Sequence, residues 1–194
     1  DGGGVSLNEV IATFENCTVS ENTAGSSGGG INSNSANPIL VNCILWNDSP
    51  QEIAISGGSV TASYSDIHGG WEGTGNIDSD PLFIDAANGD YRLSDYSPAI
   101  GAGTATGAPT TDITGVPNSR PIPSGSNPDM GAYENAYASQ RPKAGTIVDG
   151  LGTDLDWWNS SSELSANWTP FTDNDDVTYE YAVGSASGST EDNY

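Results

Sequence analysis

Phe14-Glu15-Asn16-Cys17-Thr18-Val19 returns as Leu40-Val41-Asn42-Cys43-Ile44-Leu45, and Gly2-Gly3-Gly4-Val5 returns as Gly28-Gly29-Gly30-Ile31. Both matches fall at an offset of 26. Over positions 2–19 that offset gives six identities: three Gly, Asn8/Asn34, Asn16/Asn42 and Cys17/Cys43. A third copy, shortened by about five residues, reads Ala62-Ser63-Tyr64-Ser65-Asp66-Ile67, with Tyr64 at the cysteine position. A period in the twenties, made of short β-rich runs broken by Gly, Asn and Ser, is the signature of a solenoid. The runs cover 39–46, 53–55 and 60–66, and turn chemistry such as Asn47-Asp48-Ser49-Pro50 separates them. Three short strands per coil with no helix between them predict a parallel β-helix, in which each coil buries its apolar face against its neighbours.

Stacking puts equivalent residues on adjacent rungs about 4.8 Å apart. Asn16 and Asn42 are therefore expected to form a side-chain ladder. Cys17 and Cys43 are expected to stack beside it as reduced, buried small hydrophobes. Neighbouring parallel side chains point the same way, which disfavours a disulfide.

Composition excludes several classes. Four Lys and Arg against 26 Asp and Glu give a net charge of −22, which repels phosphate backbones and argues against nucleic acid as a partner. The longest apolar runs are a few residues, so the sequence offers no membrane-spanning segment. Five Trp, eight Tyr and frequent Val and Ile argue for a folded all-β protein against the disorder that high charge favours.

Further along stand Gly75-Asn76-Ile77-Asp78-Ser79-Asp80-Pro81-Leu82-Phe83, Asn88-Gly89-Asp90-Tyr91-Arg92-Leu93, Ser97-Pro98-Ala99-Ile100-Gly101-Ala102-Gly103 and Pro128-Asp129-Met130-Gly131-Ala132-Tyr133-Glu134. In this order they resemble the C-terminal end of the pectin-lyase-like right-handed β-helices of large bacterial surface proteins, the choice-of-anchor Q type. The resemblance covers about residues 2–134. It implies export and surface display, and no particular reaction. Physically, Asp78 and Asp80 suit a turn entering a strand at 82–84, Asn88-Gly89 is a tight turn before 91–93, and 101–128 reads as an irregular cap loop.

Arg141-Pro142-Lys143 holds half of the basic residues, and beyond it 144–194 carries ten acids and no base. The expected organisation is β-helix coils and cap over 1–137, a linker over 138–145, and a second unit over 146–194. Strands are expected at 146–149, 164–168 and 177–183, the last two alternating apolar and polar as in a half-buried antiparallel sheet. The second unit is similar to the first strands of fibronectin type III-like sandwiches. Such a sandwich needs about seven strands, so an incomplete one is expected.

Three chemistries have candidates. Asp154, Asp156, Asp173, Asp175 and Asp176 gather the hard oxygens that calcium prefers, without EF-hand spacing. Trp71, Trp157 and Trp158 are candidate glycan-stacking aromatics; adjacent strand residues face opposite ways, so one of the tryptophan pair could lie outside. Asp66 with His68 is the only pair reminiscent of acid–base catalysis, and the first 91 residues contain no Lys or Arg to act as a lyase base. The expected function is accordingly a non-enzymatic structural or adhesive protein, extracellular or on the cell surface, with cell-surface glycans or further copies of itself as partners. The alternative is a carbohydrate-active enzyme, a polysaccharide lyase or hydrolase, whose active site lies mostly outside this stretch. Neither end reads as a natural terminus, which leaves a segment of a longer chain or a head-to-tail filament subunit as the expected contexts.

Overall fold

A computed structural model describes residues 2–115 and 119–140, together with the backbone of 147–149 and 166–168. The chain divides into two units, Asp1–Arg141 and Pro142–Tyr194. The described residues are all-β, apart from one 3₁₀ turn at Ala86–Asn88.

In the first unit nine strands build three coils: β1 (Val5–Asn8), β2 (Thr13–Glu15) and β3 (Thr18–Ser20); β4 (Ile31–Ala36), β5 (Ile39–Val41) and β6 (Ile44–Trp46); β7 (Ile53–Gly58), β8 (Thr61–Ser63) and β9 (Asp66–Ile67). They stack as three parallel sheets, β1-β4-β7, β2-β5-β8 and β3-β6-β9, a β-helix-like arrangement. The register of the first two coils is the 26-residue repeat itself: Val5 pairs with Ile31, Phe14 with Leu40, Val19 with Leu45. The next step is 22, pairing Ile31 with Ile53, Leu40 with Ala62 and Leu45 with Ile67. Tyr64 thus stands under Asn42, and Ser65 under Cys43, which corrects the sequence expectation by one position. The reason is geometric. Every coil keeps eight positions between the starts of its first two strands and five between the next two. Only the third connection changes, 13 positions from Thr18 to Ile31 and nine from Ile44 to Ile53.

Corners explain why the apolar runs 39–46 and 60–66 are each two strands. Glu9, Ser35 and Gly57; Asn16, Asn42 and Tyr64; and Glu21, Asn47 and Gly69 all have positive φ and recur with the same 26 and 22 steps. Left-handed backbone turns the chain sharply, and Gly and Asn are the residues that enter it most cheaply. Gly29 answers a different need: a Cβ there would lie 2.3 Å from Ser49 N, so the connections of adjacent coils touch backbone to backbone.

Ile31, Leu40, Cys43, Leu45, Ala62 and Ile67 form the buried interior, with Val5, Phe14, Cys17 and Val19 of the first coil partly covered against it. Residues 71–77 cover the third coil: Tyr64 N donates to Thr74 O and Ile67 N to Ile77 O. The chain then forms an antiparallel hairpin, β10 (Phe83–Asp85) with β11 (Asp90–Leu93). Residues 97–115 and 119–135 do not sit over an end of the stack. They run along the outside of β3-β6-β9, where Leu93, Ala99, Ile100 and Met130 cluster on Ile44. We call this segment the strap.

In the second unit β12 (Ile147–Asp149) pairs antiparallel with β13 (Ala166–Trp168). The third strand expected there, 177–183, lies outside the described residues.

Candidate functional site

The polar residues of the repeat meet the strap at one corner. Asn42 Nδ2 donates to Asn16 Oδ1 at 3.1 Å, a buried rung of amides. The same Asn42 donates to Thr104 O at 2.8 Å and accepts from Thr104 N at 2.8 Å, while Asn16 Nδ2 donates to Asp129 O at 2.9 Å. Asn is suited twice over: its amide mimics a peptide group for the strap, and its backbone tolerates the left-handed corner. Ala132 N donates to Thr18 Oγ1, and Gly131 N to Asn42 O.

The strap carries its own ionic core. Arg120 Nε reaches Glu134 Oε2 at 2.8 Å, both side chains essentially without exposure, and Arg120 also donates to Gly131 O. Asp129, fully buried, accepts from Gly101 N and Asn135 N. Burial pushes its carboxyl up to about 7, with the neighbouring Glu134 charge adding to the shift. Burial likewise raises Glu134, while the Ile122 N–H and Arg120 pull it back.

Asp66 and His68 are held by separate partners. Asp66 is fully buried in β9, at the position stacked under Ile44, and accepts from Ser79 N, while its Oδ2 has no hydrogen-bond partner among the described residues. Burial raises it to about 7, with Asp78 and Asp80 adding repulsion. His68 is half exposed; it stacks on Trp46 with ring centroids 4.5 Å apart and places Nδ1 3.4 Å from Glu52 Oε1. Glu52 is buried beside Asp48, whose backbone N–H it accepts, and burial lifts it to about 8. Asp48 Oδ1 takes both amides of Asn22, one coil above. Asp78 and Asp80 serve turns, accepting from Gly69 N and Leu82 N.

Trp71 is half-buried, packs partly on the interior and lines a groove of about 740 Å³ with Val60, Ala62, Ser63, Glu72 and Thr74. Cys43 is buried; Cys17 is half-buried rather than buried, because no coil described here covers it and the strap shields one side only. Both thiols are free. The calcium candidates Asp154, Asp156, Asp173, Asp175 and Asp176, and the tryptophans Trp157 and Trp158, lie outside the described residues. Among the described residues no group of three or more His, Cys, Asp or Glu is placed to hold a metal ion. No described helix is long and apolar enough to cross a membrane.

Sequence reasoning missed the roles of Arg120 and Glu52. Arg120 is one of four basic residues in a chain this acidic, and that rarity was the available signal for a buried ion pair. Glu52 carried no pattern, since its burial follows from the short third connection. No protein-family model, curated protein or solved structure matches the chain.

Proposed function

We propose that this chain is a non-enzymatic structural segment of an extracellular or cell-surface protein: the last coils of a right-handed, pectin-lyase-like β-helix, followed by the start of a fibronectin type III-like sandwich. One observation carries the reading. The polar groups buried where the repeat meets the strap are already spent on the fold. Asn16, Asn42, Asp129 and Glu134 accept or donate to strap backbone, and Arg120 is held by Glu134 and Gly131. A general acid must be free to reach a substrate, and these are not.

Adhesion to glycans belongs to the same proposal. The half-buried Trp71 ring beside Glu72 and Thr74 offers an apolar face with polar neighbours, the pairing that sugar rings favour. Calcium on the acid runs 154–156 and 173–176 and head-to-tail association with further copies extend it. The test is incubation of the full 194-residue chain with a panel of soluble and particulate polysaccharides. Retention on particles, weakened by Trp71→Ala, with no new reducing ends or unsaturated sugars, is the expected result. Sugar release above a boiled control overturns it.

A further inference from the structure

The repeat places two thiols in one column and treats them unequally. Ile44 N donates to Cys17 O at 2.8 Å, so the backbone of one coil clasps the other beside the pair. Cys43 Sγ lies 3.4 Å from Phe14 O, one coil above its own, and Cys17 Sγ 3.4 Å from Glu15 O. Below them the column ends in Ser65, whose hydroxyl accepts from Cys43 N. Cys43 is sealed from solvent. Cys17 instead lines a pocket of about 360 Å³ with Asn16, Thr18, Asp112, Ile113 and Arg120.

From this we infer that Cys17 and Cys43 form a dithiol–disulfide couple, in which Cys17 attacks a small disulfide and Cys43 resolves the product. Like positions on adjacent rungs are about 4.8 Å apart, inside the roughly 4.4–6.8 Å over which Cα atoms are bridged. The parallel side chains must rotate to join, which makes the bond strained and readily reduced rather than a permanent staple. The thiols are polarised for these roles. A hydrogen bond from Cys43 holds the Cys17 thiol down at about 7, with the Arg120 guanidinium assisting against burial. The same contact and burial push Cys43 up. Arg120 stays in place because Glu134 fixes it.

The exchange balances. The Cys17 thiolate attacks one sulfur of RSSR, forming Cys17–S–SR and releasing RS⁻. Cys43 gives up its proton to that thiolate and attacks Cys17 Sγ, expelling a second RS⁻, which takes a proton from water. The protein loses two electrons and two protons, and one RSSR becomes two RSH.

The test uses the full chain with bis(2-hydroxyethyl) disulfide, uncharged so that the net charge of −22 does not repel it. Near pH 7 the native protein should lose both thiols, with an intact mass lower by two hydrogens and no retained adduct. Cys43→Ser should stop at one adduct on Cys17, and Cys17→Ser should react more than about tenfold slower than Cys43→Ser, because its remaining thiol is sealed and protonated. A stable adduct on the wild-type chain, a covalent dimer, or equal rates for the two variants would overturn the inference. The wild-type product decides even if a variant fails to fold.

Discussion

Asn42 holds Asn16 through one amide hydrogen bond of 3.1 Å, and the two residues share the left-handed corner of successive coils. The rung is therefore both a link between coils and the place where the strap is tied down, since each amide also binds strap backbone. Removing it orphans groups on two sides. An orphaned buried polar group costs roughly 1–3 kcal/mol.

Asn42→Ala should accordingly lower unfolding stability by about 2–4 kcal/mol, counting the orphaned Thr104 groups and the strained corner. The comparison is Asn34→Ala, which removes an exposed amide pair with Asn8 and should cost under about 0.5 kcal/mol. Chemical denaturation of both variants checks this; equal losses would show that the ladder is not what anchors the strap.

Arg120 and Glu134 form a buried pair, so truncating one partner strands the other. Arg120→Met should cost about 3–5 kcal/mol near neutral pH. The defect should shrink on acidification, because Glu134 and Asp129 can then be neutral without a counter-charge. Thermal melts at two pH values read it, and a pH-independent defect contradicts the ionic explanation.

Acid titration has a definite sign. Asp66 and Asp129 at about 7 and Glu52 at about 8 all lie above ordinary carboxyl values in the folded protein. The folded state therefore binds more protons than the unfolded one across the window from about pH 4 to about pH 8. Stability from these groups is fully present below the ordinary carboxyl range and is lost as pH rises through 7 to 8. The melting temperature should rise from pH 8 to pH 5, and Asp66→Asn should flatten that slope. A protein more stable at pH 8 than at pH 5 would refute the assignment.

Gly131 sits at φ +86, where an added Cβ would come within 2.7 Å of Ile44 Cδ1 and 2.8 Å of Thr18 Oγ1. Gly131→Ala should lift the strap from β3-β6-β9 and cost more than about 1 kcal/mol through backbone strain and lost contact. Faster proteolysis between 97 and 135 is the local readout; unchanged cleavage and melting would mean the strap has slack.

The first step of the fold was written in the sequence residue by residue, because like residues stack on like: Gly on Gly, Asn on Asn, Cys on Cys. The second step blurred at Tyr64. A left-handed corner is easily read where Asn marks it and is hidden where Tyr fills it, so Tyr64 reads as the cysteine position although it stands under Asn42. The strap was harder still. Its motif at 128–134 was conspicuous, but Asp129 and Glu134 find their partners far away in sequence, at Gly101, Arg120 and Asn16. Local pattern carries no record of such pairings.

The coil has two rigid sides and one adjustable one. Spacings of eight and five recur in every turn, while the connection after the third strand absorbs four residues without disturbing the register on either side. A change of length there leaves the paired strands in register, although the connections of adjacent coils still meet at Asn22, Thr23, Gly29 and Ser49. New sequence inserted at the other two corners would break the pairing of every rung it touches. Variation in a protein of this design has one open doorway per turn, so related chains would diversify along a single seam and keep the remaining surface unchanged.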